Sequence, residues 1–222
     1  MTAFVWIGGA LFVSALACCG YSYMLAWSRV TAFHPGAVVF DAALFSVFAL
    51  HHSLFARDGV KRWLSSAVPE PMLRSVYVWI ASVLLIAVCV FWRPAGGDLY
   101  HHTGVLAVVH AAAQLAGLLI IIQAVRTIDP LELAGIRRHP AAESLQIVGP
   151  YRWVRHPVYS GWVLLTFGVA HMTGDRLIFA GISTLYLLIA MPLEERSLRM
   201  SFGAAYEDYA RQVRYRIVPY VY

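Results

Sequence analysis

The chain has 222 residues, of which 60% are hydrophobic and only 13% are charged. Soluble domains carry about 25% charged residues, so this composition argues against an ordinary soluble enzyme and against a disordered chain. It is instead typical of a membrane protein. The net charge is +5, and all but one of its basic residues are arginine.

Six apolar segments follow one another along the chain. The first, Ala3–Trp27, contains no charged residue and is long enough to cross a hydrocarbon core of about 30 Å at about 1.5 Å per residue. It has no basic residue before it, so we expect a span and not a signal peptide. The other segments are about Gly36–Ala56, Ser75–Trp92, Thr103–Ala124, Val158–Thr173 and Leu177–Met191.

The last two segments are short and are separated only by residues 174–176, which predicts a tight helical hairpin. The sequence does not decide whether this hairpin crosses the whole membrane. The predicted fold is therefore all-α: a polytopic membrane helix bundle of about six spans, with a short C-terminal hairpin and an amphipathic tail helix. We expect a single domain, with four spans in residues 1–125 and a loop, hairpin and tail in residues 126–222.

Basic residues between these segments are unevenly distributed. Alternate connections together with the tail carry 14 Lys and Arg residues, among them Arg57 and Arg138, and the other connections carry 3. Because Lys- and Arg-rich connections stay in the cytoplasm, both termini are predicted to be cytoplasmic, in a membrane such as the bacterial inner membrane. The orientation of the chain in the membrane thus explains its excess of basic residues, and we predict no nucleic acid as a partner.

The fourth connection, from Arg126 to about Pro157, ends where a helix is predicted to begin. Pro157 suits the first turn of a helix, where its missing N–H costs no hydrogen bond. Arg155 and His156 then lie beside backbone N–H groups at the positive end of the helix dipole, where a carboxylate or phosphate can bind. The alternative is that Arg152 and Arg155 only anchor the loop at lipid phosphates.

The predicted hairpin returns to the same side at Glu194 and Glu195. Two adjacent carboxylates at a membrane boundary are costly unless they are paired. Glu195 has Arg199 four residues on, so we expect an ordinary surface ion pair there. Glu194 has no such basic neighbour and is the better candidate to point into a site. Because a short hairpin brings its ends together, these carboxylates should meet Arg155 and His156.

A site with an anion-binding half and a cation-binding half suits a zwitterion. S-adenosylmethionine carries a carboxylate, an ammonium and a sulfonium. The arginine and the histidine would hold its carboxylate, and a glutamate would hold its ammonium or its ribose hydroxyls. Tyr151 and Tyr159 are expected to flank the adenine or the sulfonium with their ring faces.

The tail from Glu194 to Pro219 is predicted to be an amphipathic helix that covers this site. Charged residues fill one of its faces, and it either lies in the membrane interface or packs on the bundle. The apolar face is formed by Leu198, Phe202, Tyr206, Tyr209 and Val213.

Three sequence blocks together resemble the isoprenylcysteine carboxyl methyltransferase and phospholipid methyltransferase superfamily. They are Gly149–Gly161, Glu194–Leu198 and Phe202–Tyr209, with Val213 and Pro219 beyond. The resemblance covers about a third of the chain and implies an integral membrane enzyme that uses S-adenosylmethionine. The donor-binding residues that it implies are Tyr151, Arg155, His156, Pro157, Tyr159, Glu194 and Glu195.

A narrower resemblance, to bacterial methanethiol S-methyltransferases, extends over about residues 44–220. It rests on residues 52–57, 61–63, 74–78, 91–94 and 129–137. It implies a small thiol as methyl acceptor, whereas the wider superfamily implies a lipophilic, prenylcysteine-like acceptor. A phospholipid nitrogen is the alternative, and the lipid bilayer is the expected surroundings in each case.

His51 and His52 end the second predicted span on the same side as His156. A histidine there can contact the donor or take the proton of a thiol; the alternative is that it is simply satisfied at the interface. We predict His52, together with Arg155 and His156, as the catalytic residues.

Other histidines, His101 and His102 among them, lie on the opposite predicted side and lack the spacing of a zinc site, so we predict no metal. A non-enzymatic alternative is a membrane protein that binds haem or quinone, given 9 histidines and 14% aromatic residues. The histidines scatter over both sides instead of pairing at one depth, which disfavours haem.

Overall fold

The computed structural model describes residues 2–55, 58–66, 68–137 and 145–221. Arg57 and Arg138, which entered the charge count, lie outside these ranges. The described part is an all-α structure with one small two-stranded sheet, which confirms the predicted fold class. Its helices are α1 (Thr2–Met24), α2 (Pro35–Phe55), α3 (Asp58–Ser65), α4 (Glu70–Phe91), α5 (Gly104–Ile128), α6 (Pro130–Leu133), α7 (Pro157–Phe167), α8 (Gly174–Phe202) and α9 (Ala204–Gln212). The strands are β1 (Asp98–His101) and β2 (His171–Thr173), and short 3-10 turns cover Ala26–Ser28 and Gly149–Arg152.

Within the described residues, five helical segments are long and apolar enough to cross a membrane. They are Thr2–Ser28, Pro35–Phe55, Met72–Phe91, Gly104–Ile128 and Gly174–Phe202. Large apolar side chains on α5, such as Val105 and Val108, are exposed, as expected for a surface that faces lipid and not water. The protein is an integral membrane protein.

The predicted hairpin has two unequal arms. Helix α7 has 11 residues and ends at Phe167, so it spans only about 17 Å at 1.5 Å per residue and is too short to cross by itself. Helix α8 has 29 residues and continues through Pro192, although a proline removes one helical hydrogen bond. The second arm and the start of the tail therefore form one helix. The residues after Pro192 favour this continuation, since they include strong helix formers such as Leu, Glu and Arg.

The tail differs from the single helix predicted for Glu194–Pro219. Gly203 has a φ of 52° and ends α8, since glycine adopts this left-handed region without strain. Helix α9 then covers only Ala204–Gln212. On this short helix Tyr206 and Tyr209 are buried, as their place on the apolar face predicts.

The chain divides into two compact units. The first comprises the described residues within Met1–Asp98, Pro130–Pro140 and Thr173–Arg176. Here α1 packs against α4: the Trp79 indole N–H donates to the Phe4 carbonyl at 3.0 Å and its ring stacks on the Phe4 ring. Buried Asp175 accepts hydrogen bonds from the Trp92 indole and from the Ala95 N–H at 3.0 and 2.8 Å, which satisfies a carboxylate that would otherwise be costly inside a fold.

The second unit comprises the described residues within Leu99–Asp129, Ala141–Met172 and Leu177–Tyr222. Its helices α5 and α7 cross where Gly117 meets Gly161. A Cβ on either glycine would come within 2.6 Å of the other residue's carbonyl oxygen. Only glycine permits this approach, and small residues are the usual means of bringing membrane helices together. The close packing fixes the start of α7.

Candidate functional site

The candidate site lies in the second unit, where α7 begins. His156 precedes the helix and Pro157, which is buried, occupies its first turn, as the sequence predicts. The Tyr159 and Ser160 N–H groups donate to the His156 carbonyl at 3.0 and 3.1 Å. The imidazole of His156 stacks on the Tyr159 ring, with 5.1 Å between ring centroids. These contacts hold both side chains on one side of the first turn.

Glu195 is the buried centre of the site. It is 0% exposed, and its Oε1 accepts a hydrogen bond from Arg155 Nε at 2.8 Å. His156 Nε2 lies 3.4 Å from the same oxygen. Arg216 approaches with two nitrogens, Nε at 3.3 Å from Oε1 and Nη2 at 3.2 Å from Oε2. A buried carboxylate is tolerated here because several cationic donors surround it.

Glu194 faces the more open side of the same histidine. Its carboxylate is 48% exposed and its Oε2 lies 3.6 Å from His156 Nδ1. The Tyr159 hydroxyl donates to that oxygen at 2.6 Å. The imidazole of His156 therefore lies between two carboxylates, one buried and one accessible.

A segment that we call the C-terminal strap, residues 213–217, follows α9 and lines the site. The Arg155 and His156 N–H groups donate to the Tyr215 and Arg216 carbonyls at 2.9 and 2.8 Å. Arg155 Nη1 donates to the carbonyls of residues 213 and 214, both at 2.8 Å. The Ser160 hydroxyl donates to the carbonyl of residue 217 at 2.5 Å. The strap thus supplies acceptors for the backbone and side chain of the turn before α7.

Three tyrosines pack beside this cluster. The Tyr209 hydroxyl donates to the Tyr151 carbonyl at 2.8 Å. Burial raises the pKa of Tyr206 to about 12, and burial together with the carboxylate of Glu194 raises the pKa of Tyr151. Burial also raises the pKa of Tyr209. Below pH 10 these phenols are therefore neutral.

The structure brings Arg155 and His156 together with Glu194 and Glu195, as the predicted hairpin requires, but it assigns the carboxylates differently. The expected pair of Glu195 with Arg199 forms, with Nη2 3.8 Å from Oε2, but its expected place at the surface is wrong, because Glu195 is buried. The physical reason is helix phase, because α8 turns Glu195 inward and leaves Glu194 at the surface. Arg155 is also not in an open anion site. Its side chain is 8% exposed and donates to Glu195 and the strap.

Sequence reasoning missed Arg216 and the strap. Arg216 was counted only as one of the basic residues that orient the chain. Arg216 lies 21 positions beyond Glu195, outside any local pattern in the sequence.

The predicted base His52 lies in the first unit. The Tyr77 hydroxyl lies 2.6 Å from its Nδ1, and the neighbouring His51 stacks on the Tyr77 ring at 5.6 Å between centroids. The two histidines and the tyrosine form an aromatic cluster within that unit.

Four further histidines pair in the second unit. His101 stacks on His171, and His102 Nδ1 lies 2.9 Å from His110 Nε2. Among the described residues no group of three or more His, Cys, Asp or Glu side chains is arranged to hold a metal ion.

An apolar cavity of about 270 Å³ lies in the second unit between α5, α7 and the strap. Its walls include Ile120, Trp153, Pro157, Leu164 and Ile217. Such a lining suits an apolar group.

Comparison with known proteins agrees with this picture. Residues 108–205 match the family described as phospholipid methyltransferase. The chain is 32% identical to the methanethiol S-methyltransferase of Crocosphaera subtropica, over 83% of this chain and 76% of that protein. It is 36% identical to the methanethiol S-methyltransferase of Mycobacterium tuberculosis, over 80% and 76%.

A more distant relative is nurim of Xenopus laevis, 28% identical over 69% of this chain and 60% of that protein. The identity and coverage of the two bacterial relatives are enough to assign the family. The chain belongs to the membrane methyltransferases of the phospholipid methyltransferase type, alongside the methanethiol S-methyltransferases.

Proposed function

We propose that this protein transfers a methyl group from S-adenosylmethionine to a small thiol. The observation that carries the proposal is the contact between Glu194 Oε2 and His156 Nδ1, 3.6 Å apart, with the Glu194 carboxylate on the accessible side of the site. The residues proposed to form the donor site are Tyr151, Arg155, His156, Pro157, Tyr159, Glu194 and Glu195, with the buried Arg155 and Glu195 behind His156 and not in contact with the donor.

The chemistry of these two groups fits the donor. When His156 Nε2 carries the proton and faces Glu195, its Nδ1 presents a lone pair towards Glu194. In that tautomer the Nδ1 lone pair and the Glu194 carboxylate can both accept hydrogen bonds from the ammonium or a ribose hydroxyl of S-adenosylmethionine on the accessible side. Tyr159 orients the Glu194 carboxylate through its 2.6 Å hydrogen bond and offers a ring face to a cationic group.

When bound, S-adenosylmethionine supplies a methyl group that its sulfonium already activates. The protein then has to orient the reactants and exclude water. Transfer joins the methyl carbon to the acceptor sulfur and returns the electrons of the broken bond to the donor sulfur. A thiol acceptor must also lose its proton, because the thiolate is the nucleophile.

Two observations support a small thiol as acceptor. The relatives that match over about four fifths of the chain are named methanethiol S-methyltransferases. The apolar cavity beside Pro157, about 270 Å³ in volume, suits an acceptor that partitions from the bilayer.

The test is a transfer assay with purified protein in lipid nanodiscs and methyl-labelled S-adenosylmethionine. Methanethiol, a prenylcysteine analogue and phosphatidylethanolamine are supplied in separate reactions. We expect label in dimethyl sulfide from the first and little label in the other two. Label mainly in the prenylcysteine or the lipid would reject the thiol assignment, and no transfer to any acceptor would reject the proposed reaction.

We further propose His52 as the group that takes the thiol proton, because an imidazole nitrogen can accept a proton and the 2.6 Å contact of its Nδ1 with the Tyr77 hydroxyl holds the ring in place. His52→Gln is expected to lower kcat for the thiol at neutral pH. The loss should shrink as the pH rises towards the pKa of the thiol itself, since the base is then no longer needed. His101→Gln, at an exposed histidine, is the control. A loss for His52→Gln that is the same at every pH would contradict a role as base.

We also propose that the chain works as a single domain. We propose that both its termini lie in the cytoplasm, on the basis of 14 basic residues in one set of connections and 3 in the other. This orientation needs a sixth crossing, which we assign to α7 together with residues 168–173. Reporters fused to either terminus should give the cytoplasmic signal in a bacterial host. A C-terminal reporter that is active only outside the cytoplasm would overturn this orientation.

A further inference from the structure

The C-terminal strap makes one side-chain contact that the backbone pairing does not require. Arg216 places two guanidinium nitrogens on the two oxygens of Glu195, at 3.3 and 3.2 Å. Its side chain is still 30% exposed, whereas that of Glu195 is 1% exposed. The contact therefore runs from the surface of the strap into the buried centre of the site.

Glu195 in turn contacts the inner nitrogen of the imidazole. His156 Nε2 lies 3.4 Å from Glu195 Oε1, the oxygen that also accepts from Arg155. A carboxylate held by two arginines cannot rotate to present another edge, since two-point arginine contacts fix geometry as well as charge. A fixed carboxylate at Nε2 determines which ring nitrogen carries the proton and which one faces Glu194.

We propose that Arg216 and Glu195 are positioning residues: the ion pair between them holds His156 in the orientation that receives the methyl donor. This inference rests on the proposed donor site. Neither residue has to touch the donor. Arg216 acts through Glu195, and Glu195 acts through His156. The strap therefore influences the affinity for the methyl donor without contacting the donor.

Arg216→Gln tests the first step, with Arg214→Gln as the matched control. Both changes remove one arginine charge from the strap, but the Arg214 side chain is exposed and only its carbonyl accepts from Arg155. In metal sites, loss of a residue that orients a metal-binding histidine lowers metal affinity or activity about 10- to 100-fold, and we expect an effect of similar size here. We expect Arg216→Gln to raise KM for S-adenosylmethionine at least about tenfold with kcat nearly unchanged, and Arg214→Gln to leave both values unchanged.

Conservative replacement and a double variant separate positioning from general stability. Arg216→Lys keeps the charge but not the two-point contact, so its KM should fall between those of the wild type and Arg216→Gln. In a double-mutant cycle, adding Arg216→Gln to Glu195→Gln should raise KM little further, because both changes break the same path. If Arg216→Gln does not fold, the comparison of Arg216→Lys with Arg214→Lys decides in its place.

The outcomes are distinguishable from those for the proposed function. A wild-type protein that neither binds nor uses S-adenosylmethionine would reject the donor site itself. A wild-type protein that uses the donor, with Arg216 variants matching the Arg214 variants in KM, would reject the positioning role alone. A KM increase in the double variant equal to the product of the two single-variant fold-changes would likewise reject action of Arg216 through Glu195.

Discussion

Glu195→Gln is expected to lower the free energy of unfolding by about 3–5 kcal/mol, the usual cost of removing one partner from a buried ion pair. The carboxylate is 0% exposed and faces Arg155, His156 and Arg216. The amide keeps the size of the side chain but removes its charge. The Arg155 guanidinium, with 8% of its side chain exposed, would then be buried beside a neutral group and a donating NH₂.

The measurement is a denaturant titration of the purified protein in detergent micelles. Glu207→Gln is the matched control, because it removes an equal charge from an ion pair with Arg199 whose carboxylate is 51% exposed. Exposed pairs contribute only about 0.2–1 kcal/mol. Equal small losses of stability in both variants would mean that the buried contacts of Glu195 contribute no more than an exposed ion pair. That result would contradict a buried cluster centred on Glu195.

Glu194→Gln is expected to weaken the binding of S-adenosylmethionine by about 10- to 100-fold while leaving stability almost unchanged. Loss of a hydrogen bond to a charged group costs about 1.5–3 kcal/mol, which corresponds to that range of affinity. Stability should hold because the carboxylate is 48% exposed and water can replace the contacts that it loses.

Isothermal titration with S-adenosylmethionine measures the first effect, and the denaturant titration measures the second. Glu207→Gln again serves as control and should bind the donor like the wild type. Wild-type affinity in Glu194→Gln would remove this carboxylate from the proposed donor site. A large loss of stability would show instead that it belongs to the buried cluster.

Relative to the sequence-based expectation, only the buried and exposed positions of the two adjacent carboxylates are exchanged, and the donor role proposed for Glu194 is unchanged. From spacing alone, Glu195 pairs with Arg199 at the surface and Glu194 points inward. The assignment depended on the rotation of α8 around its axis beyond Pro192. Neighbours on a helix point about 100° apart, so a modest error in phase is enough to exchange a buried position with an exposed one.

The sequence by itself determined the membrane class, the helical architecture, the helix start at Pro157 and the meeting of residues 155–156 with residues 194–195. These properties follow from composition, from the lengths of apolar segments and from a short connection, all of which are local in the chain. The family resemblance added the reaction class.

Only the tertiary structure decided which carboxylate is buried, how far α8 extends and which residues complete the cluster around Glu195. The strap reaches Arg155 and His156 from 58–60 positions away along the chain. Such contacts depend on where Gly203 ends α8 and how residues 213–217 return to the start of α7. No periodicity or spacing encodes that path, because it is set by packing and hydrogen bonding between segments distant in sequence.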